Sequence, residues 1–425
     1  MAVVSGQEIE VVIEKPASGG RMIARHDGEV LLVAGAIPGE RVAAVVTRAE
    51  KRVAFADATR VIEASPDRRE PQGDAACGGT LYSHIAYDRQ VRLKAEIIRD
   101  AYTRIGRIPI EAEIDVARSL ETGYRMRARL HVRDGRPGFY REGTRDLCDP
   151  RQTGQLLDAA IDSVEAAVAA LQAQGITTMS VELSENMAAD QRALHVDLRD
   201  PKPSGDALDR AIAAAGLTGL TARTIENVFY SAGDPIVSDP LSALTAGRAG
   251  EGMLRRHPQS FFQGNRSLLA ALTTAVIDSV QPGATVDLYA GVGLFAVALA
   301  ASGHAEITAV EGDPESGKDL LRNAAPFYDQ LRVARASVEA FLARGFIAPP
   351  ANLVIDPPRT GMSKEAGDAI ARSGAGRIVY VSCDAPTMAR DARRLIDGGY
   401  RLVSLRGFDL FPNTPHVETL GVFER

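Results

Sequence analysis

The sequence predicts an α/β protein in three parts: a small OB-like β-barrel over residues 1–63, a central α/β domain over 64–250, and a Rossmann-like, doubly wound domain over 251–425. Three observations predict this. The first sixty residues alternate β-branched and polar side chains between Gly- and Pro-marked turns, which is how short half-buried strands read. From about residue 265 helical and strand-like segments alternate regularly, the pattern of a parallel sheet with crossover helices. Between them lie mixed segments with their own strands and an Ala-rich helix.

In the first part, EIEVVIEK and EVLLVAGAIPGERVAAVVTRAEKRVAFADATRVIEA supply about five strands broken at GG, DG and PG. Five short strands suit an OB-like barrel, an architecture often used on oligonucleotides. SPDRREPQGDAACGG reads as a polar linker, and 85–105 as an amphipathic helix carrying Ile85, Val91, Ile97, Ile98 and Tyr102.

Next, GYRMRARLHVRDGRPGFYREG sets Arg125, Arg127, Arg129, His131 and Arg133 in alternation with Met126, Ala128, Leu130 and Val132. A strand has a period of two, so all the bases share one face. DGRPG then makes a hairpin turn, with Phe139 and Tyr140 as candidate stacking groups. A solvated outer face is the plain alternative; five consecutive basic or His positions favour a phosphate-tracking surface. Residues 155–175 form an Ala-rich helix, and 177–250 carry no catalytic signature.

The bulk numbers exclude little. The net charge of −6 is uneven, and residues 124–145 hold seven Arg against Asp134 and Glu142. A local basic stripe rather than global charge attracts phosphate. No apolar run is long enough to span a membrane, the first residues do not resemble a secretory signal, and three cysteines are too few for a disulfide framework. A cytoplasmic location is expected.

In the last part the chemically equipped residues fall at strand ends, where doubly wound sheets bind ligands. DLYAGVGLFAVALA places Gly291 and Gly293 in a tight turn after a strand, and Glu311 ends the next strand, suited to accept ribose hydroxyls. A dinucleotide site is the competing reading, but the third glycine that cradles a pyrophosphate is missing. That favours S-adenosylmethionine, which has no phosphate. In NLVIDPPRTGM, Asp356 precedes a double proline that stiffens the turn; Arg359 stands where amine-methylating enzymes carry an aromatic. In RIVYVSCDAPTMARD, Cys383 ends a strand just before a helix start marked by Asp384 and Pro386. A helix N-terminus lowers a thiol's pKa, while Asp384 opposes that effect. His416 and Glu418 lie two apart in the closing strand. A metal site is discounted, because no second pair has ligand spacing, and Glu418 reads better as a proton acceptor. A thiolate added to C6 of uracil makes C5 nucleophilic, and a carboxylate then removes the C5 proton.

DLYAGVGLFAVALA, VIDPPRTGM, VSCDAPTMARD and DLFPNTPHVETLGVFE, in this order, resemble the RNA uracil-C5 methyltransferases of tRNA and ribosomal RNA. HPQSFFQGN at 257–265 looks like the opening of their catalytic domain, a class I methyltransferase fold. GAIPGERV followed by ASPDRREP resembles the RNA-binding TRAM domain. The resemblance implies Cys383 as nucleophile, Glu418 as general base, and cofactor contacts from Gln263, Tyr289, Glu311 and Asp356. Leu294 stands where an Asn is common, and Ser337 aligns with a polar contact. Some relatives hold a [4Fe–4S] cluster with four cysteines; here only Cys77 and Cys148 match, so no iron–sulfur cluster and no metal are expected. The implied partner is RNA, ribosomal RNA (23S) in preference to tRNA, with no DNA and no membrane. A methyltransferase acting on something other than RNA and a non-catalytic RNA-binding protein are the other readings.

Overall fold

A computed structural model describes residues 3–71, 73–200, 202–203 and 205–425. Five strands, β1 (Glu8–Pro16), β2 (Met22–His26), β3 (Glu29–Ala34), β4 (Arg41–Ala49) and β5 (Val53–Glu63), close into a barrel in the order β1-β2-β3-β5-β4. Alternation explains the closure: Ile9, Val11 and Ile13 of β1 point inward while Glu8, Glu10 and Val12 face out. Leu31, Val33, Val42, Ala44 and Val46 complete the barrel interior.

The chain then forms α1 (Tyr87–Ala101), a wider π-helical turn over Tyr102–Gly106, and β6 (Val116–Ala117). The helix matches the expected amphipathic segment, but its apolar face does not pack within a central unit. Ile97, Ile98, Tyr102, Ile108, Ile114 and Val116 join the core on one face of the C-terminal sheet. Burying each Ile there contributes about 1.5–3 kcal/mol.

The central sheet has the order β13-β12-β11-β10-β7-β8-β9. Its members are β7 (Arg127–Arg133), β8 (Arg136–Tyr140), β9 (Leu147–Cys148), β10 (Thr178–Glu185), β11 (Arg192–Leu198), β12 (Gly219–Thr224) and β13 (Phe229–Gly233). The helices α2 (Asp158–Gln172) and α3 (Ala207–Ala215) cover one face, sharing a core with Ala128, Leu130, Val181, Leu194 and Leu220. The bases of β7 lie on the other face, as period two requires. Beyond it come β14 (Val237–Pro240), the short α4 (Leu241–Leu244) and β15 (Met253–Arg256). Cys77 and Cys148 are joined in a buried disulfide, tying the 73–86 loop to β9.

The C-terminal part runs α5 (Leu269–Ser279), β16 (Thr285–Leu288), α6 (Leu294–Ala301), β17 (Ile307–Glu311), α7 (Pro314–Ala324), β18 (Leu331–Arg335), α8 (Val338–Leu342), β19 (Asn352–Ile355), α9 (Lys364–Ala371), β20 (Arg377–Ser382), α10 (Ala385–Asp397), β21 (Arg401–Phe408) and β22 (Glu418–Glu424). Its sheet order is β18-β17-β16-β19-β20-β22-β21-β6. Strands β16 to β20 are parallel, and β22 is antiparallel to both neighbours. The order reverses between β16 and β19, which makes their carboxyl ends the crevice of a doubly wound sheet. Because β22 runs backwards, its first residue, Glu418, lies at that same edge.

Candidate active site

Four strand ends and one strand start build the site. After β16 the chain turns through Tyr289, Gly291 and Gly293, all at positive φ (64°, 57° and 96°). Gly293 is required by space as well: a Cβ there would stand 2.7 Å from Leu320 and 2.8 Å from Val297. Tyr289 is not glycine, and a left-handed tyrosine stores backbone strain of about 1–3 kcal/mol. The bond from Ala290 N–H to the Val310 carbonyl (3.0 Å) helps hold the turn. Tyr289, Gly291, Leu294, Gln263, Asp356 and Phe261 line one crevice.

Glu311, at the end of β17, accepts from Gly291 N–H at 2.7 Å and from Asp313 N–H at 2.5 Å. These bonds fix its carboxylate at the mouth of the glycine turn. Asp356 follows β19 and accepts from the Gln263 side-chain amide at 3.2 Å. Asp287, fully buried on β16, accepts from Ala296 N–H at 3.0 Å through one oxygen, while its other oxygen has no partner. Glu418 is 1% exposed, and one of its oxygens is likewise unpartnered. Burial raises the pKa of Asp287, Asp356 and Glu418, and the charge of Asp356 adds to the rise at both of the others. Carboxylates that oppose one another in a dry crevice favour a cationic ligand, whose charge would relieve them.

Cys383 links β20 to α10. Asp384 caps that helix by accepting from Thr387 N–H at 2.9 Å, and Pro386 sits in its first turn, as the sequence signals imply. The register pairs Ser382 with Thr419, so the segment bearing Cys383 meets the start of β22 where Glu418 stands. The thiol does not have the lowered pKa that a helix N-terminus alone would give. Burial first, then Glu418, Asp356 and Asp384, push it up to about 12, against which Arg359 pulls it down. Arg359 itself donates to the His416 ring at 3.0 Å. His416 lies just before β22 rather than in it, its ring edge-on to Phe411.

Residues 3–59 match the TRAM domain, and residues 350–425 match the tRNA (Uracil-5-)-methyltransferase family. A 23S rRNA (uracil(1939)-C(5))-methyltransferase RlmD of Pseudomonas entomophila is 32% identical over 99% of this chain and 94% of its own length. An RNA methyltransferase of Streptomyces coelicolor, itself uncharacterized, is also 32% identical, over 99% of this chain and 93% of its own. This chain is an RNA uracil-C5 methyltransferase family member. The crystal structure of Pyrococcus abyssi tRNA (uracil-54, C5)-methyltransferase in complex with S-adenosyl-L-homocysteine superposes with a TM-score of 0.74. It covers 98% of this chain and 100% of that one at 21% identity, and so shares the fold.

The methyltransferase family depends on S-adenosylmethionine, and the crevice fits that group. The carboxylate cluster suits a sulfonium and an ammonium, while Glu311 suits ribose hydroxyls. The structure brings Gln263, Tyr289, Glu311 and Asp356 to one crevice and Cys383 and Glu418 to its edge. Ser337 does not join them; its hydroxyl caps α8 by accepting from Ala340 N–H at 3.2 Å. Among the described residues, no group of three or more His, Cys, Asp or Glu is placed to hold a metal.

Two residues of this methyltransferase, Phe261 and Asp287, escaped the sequence reading, as did the role of a third, Arg359. Phe261, 58% exposed, stands at the crevice rim with the Arg127 guanidinium 5.9 Å from its ring centre. Asp287 was visible only as a charge closing a hydrophobic strand. Arg359 carried a signal in replacing an aromatic after the double proline. The basic stripe also needs correcting: Glu182 and Asp197 on β10 and β11 lie opposite Arg127 and Arg129 (3.3–3.7 Å), so part of its charge is neutralised. Phe139 is 7% exposed beneath Arg125 and is not free to stack, whereas Tyr140 is exposed.

Proposed function

We propose that this protein transfers a methyl group from S-adenosylmethionine to C5 of a uridine in structured RNA through a covalent adduct on Cys383. The observation that supports it is the meeting of Cys383 and Glu418 at the sheet edge beside Asp356. The Cys383 thiolate adds to C6 of the uracil, and the electron pair moves to C5 and O4. S-adenosylmethionine bound in the crevice would supply the methyl that the activated C5 takes up, and would be left as the neutral thioether. Glu418 then takes the proton from C5, the C5–C6 double bond re-forms, and the Cys383 sulfur departs. Attack on C6 and proton removal at C5 both need the base out of its stack.

In this reading, Gln263, Tyr289, Glu311 and Asp356 hold the cofactor. The barrel of residues 1–63 and the central sheet within 64–250 hold RNA, and 251–425 carries the chemistry. The charge cluster gives Asp356 the further role of raising the proton affinity of Glu418. The substrate we favour is 23S ribosomal RNA, supported by the TRAM match and by relatives named for that activity in Pseudomonas entomophila and Methylococcus capsulatus. The proposed location is the cytoplasm; no helix among the described residues is long and apolar enough to cross a membrane.

The test offers 5-fluorouridine-substituted 23S rRNA and tRNA together with S-adenosylmethionine. Fluorine cannot leave as a proton, so a denaturation-resistant protein–RNA adduct is expected with ribosomal RNA. It should be absent with Cys383→Ala. An adduct that survives this substitution, or none with either RNA, contradicts the mechanism; an adduct with tRNA alone changes the substrate.

A further inference from the structure

The open face of the central sheet carries a row of side chains that the reaction does not use. In register across five strands lie His131 on β7, Ser180 on β10, Asp197 on β11, Arg223 on β12 and Phe229 on β13. Directly paired residues project to the same side of a sheet, so these five form one line on the face opposite α2 and α3. Tyr140, from the neighbouring β8, stacks on His131 with ring centres 3.8 Å apart and planes at 16°. Phe229 is 57% exposed and Tyr140 is 37% exposed. A depression of about 500 Å³ lies over the row from His131 to Arg223, with Tyr140 in its wall and Phe229 beyond it, a size typical of small-ligand pockets.

Its charges are arranged, not scattered. Arg223 donates to one Asp197 oxygen at 2.9 and 2.7 Å, and Arg129 reaches the other at 3.3 Å. Ser180 donates to that second oxygen at 2.7 Å. On this face Arg127, Arg129 and Arg223 stand against two carboxylates, Glu182 and Asp197, which leaves one net positive charge on the row. Beneath, buried His195 approaches Asp197 at 3.7 Å and bonds Thr221 at 2.9 Å, which in turn meets His257 at 3.3 Å. His257 opens the segment that carries Phe261 and Gln263 into the crevice. The floor is thus tied to the wall of the active site. Along β7, Arg127 stands over Phe261, and His131 lies four residues further, roughly 14 Å at 3.4 Å per residue.

We infer that this row is a nucleotide subsite, holding a run of unpaired RNA nucleotides that flanks the target uridine. From Tyr140 to Phe229 the row spans five strand spacings, roughly 24 Å, so one base stacks against Tyr140 and another against Phe229, with the intervening phosphates held by Arg129 and Arg223. The inference rests on the reading of the chain as an enzyme acting on RNA. A sheet face bearing exposed aromatics and arginines suits single-stranded RNA, whose bases stack on rings while cations track the backbone. A protein partner would not explain why the basic positions run in line from the row to the crevice.

The test measures binding of the full chain, without cofactor, to a fluorescein-labelled 20-nucleotide unstructured RNA of mixed sequence. Tyr140→Ala and Phe229→Ala are each expected to weaken binding about tenfold, the low end of the stacking loss of roughly 1–3 kcal/mol per base. Tyr140→Phe, which keeps the ring, should stay within about twofold. Arg223→Gln should flatten the dependence of log affinity on log salt by about 0.7. With 5-iodouridine in the probe, photocrosslinks should map to Tyr140 or Phe229. Phe229 is exposed, so its substitution tests the site even if Tyr140→Ala disturbs the hairpin. Unchanged affinity in both alanine variants, or crosslinks confined to residues 257–263, would overturn the assignment. Competition by uridine monophosphate at concentrations near that of the probe would make this a free-nucleotide site instead, and also overturn it. The readout needs neither methyl transfer nor Cys383, so a failure of the proposed reaction would appear separately, as absence of the fluorouridine adduct.

Discussion

With Cys77 and Cys148 joined, Cys383 is the one free cysteine in the chain, so alkylation by iodoacetamide reports on that sulfur alone. Burial and the facing carboxylates push its pKa up to about 12 from an ordinary value of 9.0. Only the thiolate reacts, so at pH 8 the reactive fraction is about 10⁻⁴ where an ordinary thiol has about 10⁻¹. A thiolate of higher pKa is intrinsically more nucleophilic, by a factor of about twenty over three units at a Brønsted slope of 0.4–0.5. The net expectation is alkylation roughly fiftyfold slower than a small thiol at pH 8. The rate should climb about tenfold per pH unit from 7 to 10 with no plateau. Glu418→Gln removes a charge that raises the thiol and should speed the reaction, whereas Arg359→Leu removes the guanidinium that lowers it and should slow it. Alkylation is followed by intact-mass spectrometry of the cofactor-free protein across pH. A plateau below pH 10, or a faster rate in Arg359→Leu, would refute the reasoning. The same shift has a stability consequence. The folded thiol keeps its proton where the unfolded one loses it, so this contribution is intact below about pH 9 and declines as pH rises toward 12.

Glu311→Gln weakens the acceptor at the glycine turn and should reduce S-adenosylhomocysteine affinity by about 10- to 100-fold, equivalent to roughly 1.5–3 kcal/mol for a charged hydrogen bond; isothermal titration calorimetry measures it, and unchanged affinity would remove Glu311 from the ribose site. Lys94 and Asp409 form a fully buried ion pair, with the ammonium also donating to the Phe411 carbonyl at 2.9 Å. Lys94→Met strands the Asp409 carboxylate and should cost about 3–5 kcal/mol in urea unfolding, with most of it regained in Lys94→Met/Asp409→Leu. Opening the Cys77–Cys148 bond frees a loop of 71 residues and should cost about 4 kcal/mol by the loop-entropy relation. Unfolding midpoints that agree with and without reductant would show that the cross-link constrains nothing.

Much of the site was legible because the chemistry of this fold collects at strand ends, and strand ends carry sequence signals. Asp384 and Pro386 mark where α10 begins and so place Cys383, while the regular alternation after residue 265 places Asp356 and Glu311. Period two likewise put Arg127, Arg129 and His131 on one face, whereas Arg125 precedes β7 and lies over the buried ring of Phe139. What remained hidden depends on neighbours far away in the chain. Nothing local to Arg129 announces that Asp197 will sit across from it, and nothing near Phe139 shows that Arg125 will cover it. The raised pKa of Cys383 has the same origin: the helix start was visible, but the carboxylates of Asp356 and Glu418 arrive from other strands. Tyr289 in a left-handed conformation is a property of the folded turn, with no sign in the residue type. The cysteine pair was seen as an incomplete ligand set, and only folding shows the two sulfurs brought together.

The two-residue strand β6 has a consequence for dissecting this molecule. Val116 and Ala117 pair with Gly407 and Phe408 at the outer margin of the catalytic sheet, and a Cβ on Gly407 would stand 2.8 Å from Val116 and 3.2 Å from Ile98. The chain thus visits the catalytic layer once before residue 118, departs to build the central sheet, and returns. A fragment cut at residue 251 would uncover Phe408 and the apolar bed of α1, and would precipitate or unfold rather than act as a freestanding catalyst. The smallest autonomous piece has to include residues 87–117, so it is encoded as two stretches with an insertion between them.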